Sequence, residues 1–334
     1  MIITRTPFRI SLFGGGSDYP QWYKIHGGAV LGFSIDKYCY ISLRRLPPFF
    51  EHRHRISYSK VETVHAISEI EHPAVRHVLQ EFGVDYGVEV HHDGDLPARS
   101  GLGSSSSFTV GLLNALMAQS GRMISRNALA REAIRIEQEV IRECVGSQDQ
   151  IWAAYGGMNR IDFHVGGAFS VNPLIISSAR RDDLIRHLML FFTGFSRNAP
   201  EVAARQIANL DREAGTIRTM MGMVDDAQSA IANEKAPLVE IGRLLHENWM
   251  LKRRLADAVS TDSIDRIYES GRRAGAVGGK LLGAGGGGFI LFFVDPSRQQ
   301  PVRDALKELI EVRFDVDYDG SKVMVYEPDG LGRS

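Results

Sequence analysis

The sequence predicts an α/β or α+β protein built from two domains. Three observations support that reading. Apolar runs of strand character alternate with runs of helical spacing in both halves of the chain. The 334 residues exceed one ordinary domain of about 100–200 residues. Glycine, at 34 residues against an ordinary share of roughly 7%, gathers in three loops between these runs: Gly14–Gly15–Gly16, Gly101 with Gly103, and seven glycines from Gly278 to Gly288.

Residues 8–13 and 29–46 are rich in Ile, Val, Phe and Tyr and read as strands, the second stopped by Leu46-Pro-Pro-Phe-Phe. Residues 86–92 alternate Val88 and Val90 with Glu89 and His91, a third strand. Phe108 to Met117 is an apolar stretch of helical length. Residues 125–143 put Leu129, Ala133, Ile136 and Val140 on one face of a charged helix. A buried strand follows over 188–193. Then come helical spacings at Val202, Ile207, Leu210 and Ile217 and at Leu238, Ile241, Leu245 and Trp249. A further helix is expected from about Ser263 to Ala274. After it come the strand Phe289-Ile-Leu-Phe-Phe-Val, a helix over about 299–311 and a strand over about 322–327. The domain boundary falls near 170–190, giving residues 1–180 and 181–334, although no linker composition marks it.

Composition narrows the function classes. A formal net charge of -1 gives the whole molecule no pull toward nucleic acid or anionic membrane. Cys39 and Cys144 cannot make a disulfide framework and lack metal-ligand spacing, which fits a reducing cytoplasm. The start of the chain shows no signal peptide, and no run of about 20 apolar residues suggests a membrane span. His91, His92, Asp93 and Asp95 are dense in metal-ligand types. Neighbouring strand residues point to opposite faces, so an edge strand and its loop is the expectation there.

The loops carry the chemistry. In Asp95-Leu-Pro-Ala-Arg-Ser-Gly-Leu-Gly-Ser-Ser-Ser-Ser, Gly101 and Gly103 permit tight backbone, and Ser104 to Ser107 stand where a helix begins. A helix N-terminus offers free N–H groups and a positive dipole end, which suits phosphate. No Lys precedes the serines, so this is not a Walker-A loop; a Gly/Ser connector ending in an N-cap has the same composition. Gly14-Gly-Gly-Ser-Asp-Tyr-Pro is either a ligand-binding edge or a turn capped by Asp18. The third loop runs straight into an apolar strand, which points to close packing against backbone or ligand rather than to a linker.

These three glycine motifs, in this order and across nearly the whole chain, resemble those of the GHMP kinases, the superfamily of galactokinase, homoserine kinase, mevalonate kinase and phosphomevalonate kinase. Gly-Gly-Gly-Ser-Asp-Tyr-Pro, Gly-Ser-Gln-Asp-Gln-Ile-Trp-Ala-Ala-Tyr-Gly-Gly and Leu-Leu-His-Glu-Asn-Trp-Met-Leu-Lys-Arg-Arg-Leu resemble most the sugar-1-kinase branch, in particular kinases of D-glycero-D-manno-heptose 7-phosphate. The resemblance implies an α+β fold. Its N-terminal domain would be like domain 2 of ribosomal protein S5 and its C-terminal domain ferredoxin-like, with ATP and substrate between them. It also implies transfer of phosphate from ATP, with Mg²⁺, to the anomeric hydroxyl of a sugar phosphate, feeding nucleotide-activated heptose and surface polysaccharide. A fucokinase, or a non-catalytic sugar sensor on the same fold, are the alternatives. A monomer or homodimer is expected, without nucleic-acid or membrane partners.

Position by position, the resemblance assigns Gly101, Leu102, Gly103, Ser104, Ser105, Ser106 and Ser107 to the ATP phosphates. Ser104 and Glu137 go to Mg²⁺, Glu139 being the competing carboxylate. Asp149 is assigned as the catalytic base and Arg9 as its active-site arginine. Gly14, Gly15, Gly16, Ser17, Asp18, Gly285 and Gly286 are assigned to substrate. Galactokinase carries Glu-His where this chain has Gly15 and Gly16, which leaves more room for a sugar. Two basic patches could receive a sugar phosphate: Arg44, Arg45, Arg53 and Arg55, and Lys252, Arg253 and Arg254.

Overall fold

The computed structural model describes residues 1–194 and 199–329. Long alternating segments form the first sheet. Strand β1 (Ile2–Phe13) lies antiparallel to β2 (Gly28–Arg45), with the short helix α1 (Pro20–His26) between them. Their register slips between Pro7 and Phe8, where proline has no N–H to give the ladder. Strands β3 (His54–Ser57) and β4 (Val61–Val64), helix α2 (Pro73–Glu81) and strand β5 (Val88–Gly94) complete one flank. Helix α3 (Ser104–Gln119) is apolar almost all round and is buried on most of its faces, as such a helix must be. Helices α4 (Arg126–Arg135) and α5 (Gln148–Tyr155) and strands β6 (Met158–Phe163) and β7 (Phe169–Pro173) follow.

Helix α6 (Ser178–Arg186) leads to the second sheet, which begins with β8 (Leu188–Phe192). Helices α7 (Ala199–Ala208), α8 (Ala214–Ala232), α9 (Val239–Lys252) and α10 (Asp262–Ala274) intervene before β9 (Gly278–Leu281) and β10 (Phe289–Phe293). Helix α11 (Gln299–Ala305) and strand β11 (Ile310–Val312) close this unit, and β12 (Lys322–Tyr326) ends the described chain. The sheet order β11–β8–β10–β9 is all antiparallel and is the ferredoxin-like order, fourth, first, third, second. All five residues of β10 are buried, so its Phe289-Ile-Leu-Phe-Phe shows no alternation. No helix among the described residues is long and apolar enough to cross a membrane.

Four expectations need correction. The helix over 125–143 is α-helical only to Arg135. It then widens into a π turn over Ile136–Val140, closed by the Ile141 N–H on the Ile136 carbonyl at 2.8 Å, and breaks at Arg142 with φ +64°. The helix over 299–311 ends at Ala305, because Ile310–Val312 pairs with β8. Strand β5 is no edge: it lies between β2 and β3. A division at residue 180 also leaves β12 on the wrong side, since β12 pairs with β1 and returns the chain to the first sheet. Its four pairings with β1 are long-range in sequence, so no local signal announces them.

Candidate active site

The site lies where the three glycine loops meet. The main-chain N–H of Arg9 on β1 donates to the Leu102 carbonyl at 3.0 Å, and its guanidinium donates to the Gly101 carbonyl at 2.6 Å. The Gly101–Ser107 loop is therefore fastened to β1 by one residue. From the other sheet, the Phe289 N–H at the start of β10 donates to the Ser100 carbonyl at 3.0 Å. Gly283 lies so close to Gly101 that a Cβ on Gly283 would strike the Gly101 backbone, and a Cβ on Gly101 would strike the Leu282 carbonyl. This contact accounts for part of the glycine run and places the third loop directly against the second.

Helix α5 presents three consecutive side chains to three different partners. Gln148 donates through Nε2 to Asp18 Oδ2 at 2.8 Å. Asp149 accepts Arg9 Nε and Arg9 Nη2, each at 2.7 Å, in a two-point clamp. Gln150 donates to Glu137 Oε2. Successive residues of a helix point about 100° apart, so the start of α5 serves as a hub where the turn after β1, the strand β1 and the π turn converge. Gly146 precedes this hub because any Cβ there would collide with the Asp18 carboxylate.

Asp18 is buried, and accepts the Gly16 N–H at 2.9 Å as well as Gln148. Burial, and after it the charge of Asp149, push its carboxyl above the usual range. Glu137 is also buried. The Ser106 hydroxyl donates to its Oε2 at 2.9 Å, while Oε1 is enclosed with no hydrogen-bond partner among the described residues. Burial and the neighbouring charge of Glu143 push Glu137 up to about 7. Glu139 is exposed on the other side of the same turn. The π turn thus decides which carboxylate enters the interior.

The predicted residues separate on inspection. Arg9, Asp18, Leu102, Gly101, Gly103, Asp149 and Glu137 come together; a Cβ on Gly103 would touch Arg9 and Asp149. Of the four serines, Ser106 reaches Glu137, and Ser104 does not: the Ser104 hydroxyl accepts the Arg99 N–H at 3.0 Å. Ser107 donates to the Pro7 carbonyl at 2.8 Å, and Ser105 is exposed. Ser17 is spent inside its own turn, bonding the carbonyls of Gly14 and Ala29. Gly14 packs against β2, and Gly15 faces Gln148. Gly285 and Gly286 pack on the Val259 backbone, so they shape the loop from behind.

The arginine patch at residues 44–55 does not reach the site. Arg9 pairs with Ser34 on β2, and Arg44 stands ten residues further along that strand, roughly 30 Å away at strand rise. Arg44 and Arg55 both pair with Glu89, Arg45 stacks on Tyr86, and Arg53 donates to the Asp85 carbonyl. In the second patch, Arg253 pairs with Asp265 and Arg254 is exposed, whereas Lys252 is buried beside the glycine loops. Sequence reasoning passed over Gln148, Gln150 and Lys280. The only available signal was that both glutamines flank Asp149 within one motif.

With the geometry established, the chain can be set beside known proteins. The model for the GHMP kinases N terminal domain matches residues 66–157, and the model for the GHMP kinases C terminal domain matches residues 229–311, together just over half of the chain. Over 317 residues the chain is 29% identical to D-glycero-alpha-D-manno-heptose 7-phosphate kinase of Campylobacter jejuni, spanning 92% of this chain and 93% of that protein. It is 27% identical to the bifunctional fucokinase/GDP-fucose pyrophosphorylase of Arabidopsis thaliana, over 93% of this chain and 31% of that longer protein. Its fold matches the crystal structure of a D-glycero-D-manno-heptose 1-phosphate kinase from Bacteroides thetaiotaomicron with a TM-score of 0.79 at 24% identity, covering 98% of this chain and 100% of that one. The chain belongs to the GHMP kinases, and is a phosphotransferase with ATP as its phosphoryl donor.

Proposed function

We propose that this kinase phosphorylates the anomeric C1 hydroxyl of a sugar, with D-glycero-D-manno-heptose 7-phosphate as the acceptor. The observation that carries the reaction type is Asp149, clamped at both oxygens by Arg9 and set beside Gly101 and Gly103. A carboxylate oxygen keeps a second lone pair after accepting one hydrogen bond, so Asp149 can still take a proton. In the proposed step the sugar C1–OH gives its proton to Asp149, and the oxygen forms a bond to the γ-phosphorus. The bond from that phosphorus to the β,γ-bridging oxygen breaks, and ADP leaves with the electron pair. An anomeric hydroxyl is acidic for an alcohol, so the demand on a carboxylate base is modest. Asp18, beside it, suits a sugar hydroxyl as an acceptor.

The residues also fit Mg²⁺. Glu137 offers a buried oxygen without a hydrogen-bond partner among the described residues, and Ser106 adds a hydroxyl at the start of α3. These are hard oxygen donors of the kind Mg²⁺ takes. The ion would neutralise charge on the ATP phosphates. The choice of heptose phosphate is supported by the Campylobacter relative; the distant arginine patch no longer supports it.

A coupled assay of ADP release over a panel of free and phosphorylated sugars, with phosphorus NMR of the product, tests the proposal. Heptose 7-phosphate should exceed free fucose and galactose in kcat/KM by at least about 100-fold, the gap expected when a buried polar site loses a partner. Equal or better turnover of a free hexose, or phosphate on any oxygen but O1, would overturn it.

A further inference from the structure

Two lysines lie inside the junction of the glycine loops, and neither has a carboxylate partner among the described residues. Lys252, the last residue of α9, is 6% exposed. Its ammonium donates to the carbonyls of Leu281 and Gly283, at 2.9 and 2.5 Å. Lys280 on β9 is 2% exposed and donates to the Leu12 carbonyl at 2.8 Å. Gly283 is the residue that packs on Gly101, whose carbonyl holds Arg9. The tip of Lys252 is therefore anchored at the third loop, directly across from the phosphate loop, whereas Lys280 is tied back to β1.

The charges here do not balance. Arg9 and Asp149 satisfy one another, which leaves two lysines facing Asp18 alone. A buried ammonium bonded only to carbonyls either sheds its proton or waits for an anion.

We propose that Lys252 is a phosphate-gated cation: in the free enzyme it is largely uncharged at mildly alkaline pH, and it takes a proton from solvent as the γ-phosphoryl group of ATP enters the cleft. This rests on the phosphotransferase reading. Its positive charge then exists only when there is phosphate charge to stabilise, and the empty site is spared an unpaired buried cation. The surrounding groups set the threshold. Arg9 from β1 opposes the charge on Lys252, Asp18 from the first glycine turn favours it, and Lys280 from β9 is the other titratable group of the junction. Burial, then Arg9, lowers Lys252 to about 7. Lys280 is driven further down, by burial and then by Lys252 and Arg9, so Lys252 is the first of the pair to charge. A lysine that merely fastened the loop would keep one protonation state whatever nucleotide was bound.

The test is carbon NMR of wild-type protein labelled at lysine Cε, titrated from neutral to alkaline pH. Three states are compared: free, with Mg²⁺ and ADP, and with Mg²⁺ and the β,γ-imido analogue of ATP. Loss of one resonance in Lys252→Arg, or in Lys252→Gln if the arginine variant folds poorly, assigns the signal. Its midpoint should lie near neutrality in the free and ADP states and rise by about one pH unit or more with the imido analogue. An ordinary lysine midpoint in the free protein overturns the proposal. So does an unchanged midpoint when other resonances report that the analogue has bound, and the kinase reading then stands. An analogue that does not bind overturns both. Calorimetry in buffers of different ionisation enthalpy gives an independent readout. Wild type should take up more protons on binding the analogue than Lys252→Arg, by up to one, because Arg does not titrate; equal uptake sinks the idea.

Discussion

Two arginine–carboxylate clusters sit on the first sheet, and they are built inside out relative to each other. At the glycine loops the arginine is the buried partner: the Arg9 side chain is 6% exposed and Asp149 is 25% exposed. At the far end of β2 the carboxylate is the buried partner: Glu89 is 4% exposed, while Arg44 and Arg55 are 45% and 42% exposed. The same ion pair therefore has two uses. Where the cation is sequestered, the acid is left partly open to solvent. Where the acid is sequestered, it gathers Arg44, Arg55 and His91 and leaves no free oxygen for chemistry. Charge composition cannot distinguish these cases; which partner is buried does.

The contrast is open to direct attack, and the largest effect falls on the first cluster. Asp149→Asn keeps the shape and the Arg9 contact at one oxygen but cannot accept the proton. Its kcat should fall by about 10²–10⁴, the usual span for a general base, with ATP affinity unchanged by fluorescence or calorimetry. Wild-type turnover in that variant would remove Asp149 from the mechanism.

Glu137 gives an intermediate effect, and a sign. Its pKa is raised, from 4.5 to about 7, so the folded protein holds this proton more tightly than the unfolded chain. Stability is lost as pH rises between those values, by up to about 3 kcal/mol, and that penalty persists above neutrality. Glu137→Gln should remove the slope, so without divalent ions the variant should outlast wild type in denaturant melts at mildly alkaline pH. Added Mg²⁺ should stabilise wild type and leave the variant unmoved. Parallel melts of the two proteins across pH would exclude a buried, metal-ready Glu137.

The smallest effects belong to the second cluster. Burial pushes Glu89 up, but the His91 and Arg44 hydrogen bonds outweigh it and hold the carboxyl below its usual value. Its contribution to stability is then present above the unfolded carboxyl pKa and is lost as pH falls through the folded one. Glu89→Gln should cost about 1 kcal/mol at neutral pH, a discounted figure because both arginines are largely exposed, and the difference should shrink in acid. Arg55→Ala should change KM for any sugar phosphate by less than about threefold. A tenfold rise would return this patch to the substrate and undo the contrast.

The glycine loops were legible because a helix N-terminus and close backbone approach both leave local traces in sequence. The buried strands were legible for the same reason, since apolar spacing is local. The arginine patch misled because density in sequence says nothing about distance along a strand. Ser104 and Ser106 could not be separated either, since a serine run carries no record of which hydroxyl turns inward. The π turn that buries Glu137 and exposes Glu139 adds one residue to a helical turn, a change of backbone hydrogen bonding with no residue signature of its own.

By itself, then, the sequence determined the family, the strand and helix inventory of both halves, and the residues that could carry charge to a phosphate. Tertiary structure alone decided that β12 closes the first sheet, that Gly283 meets Gly101, and that Asp18, Asp149 and Glu137 all converge on three successive residues of α5 or their partners. It also decided that Lys252 bonds to carbonyls and, among the described residues, to no carboxylate. The reason is physical: propensity and spacing act over a few residues, whereas burial and the pairing of charges depend on which distant segments arrive at the same place.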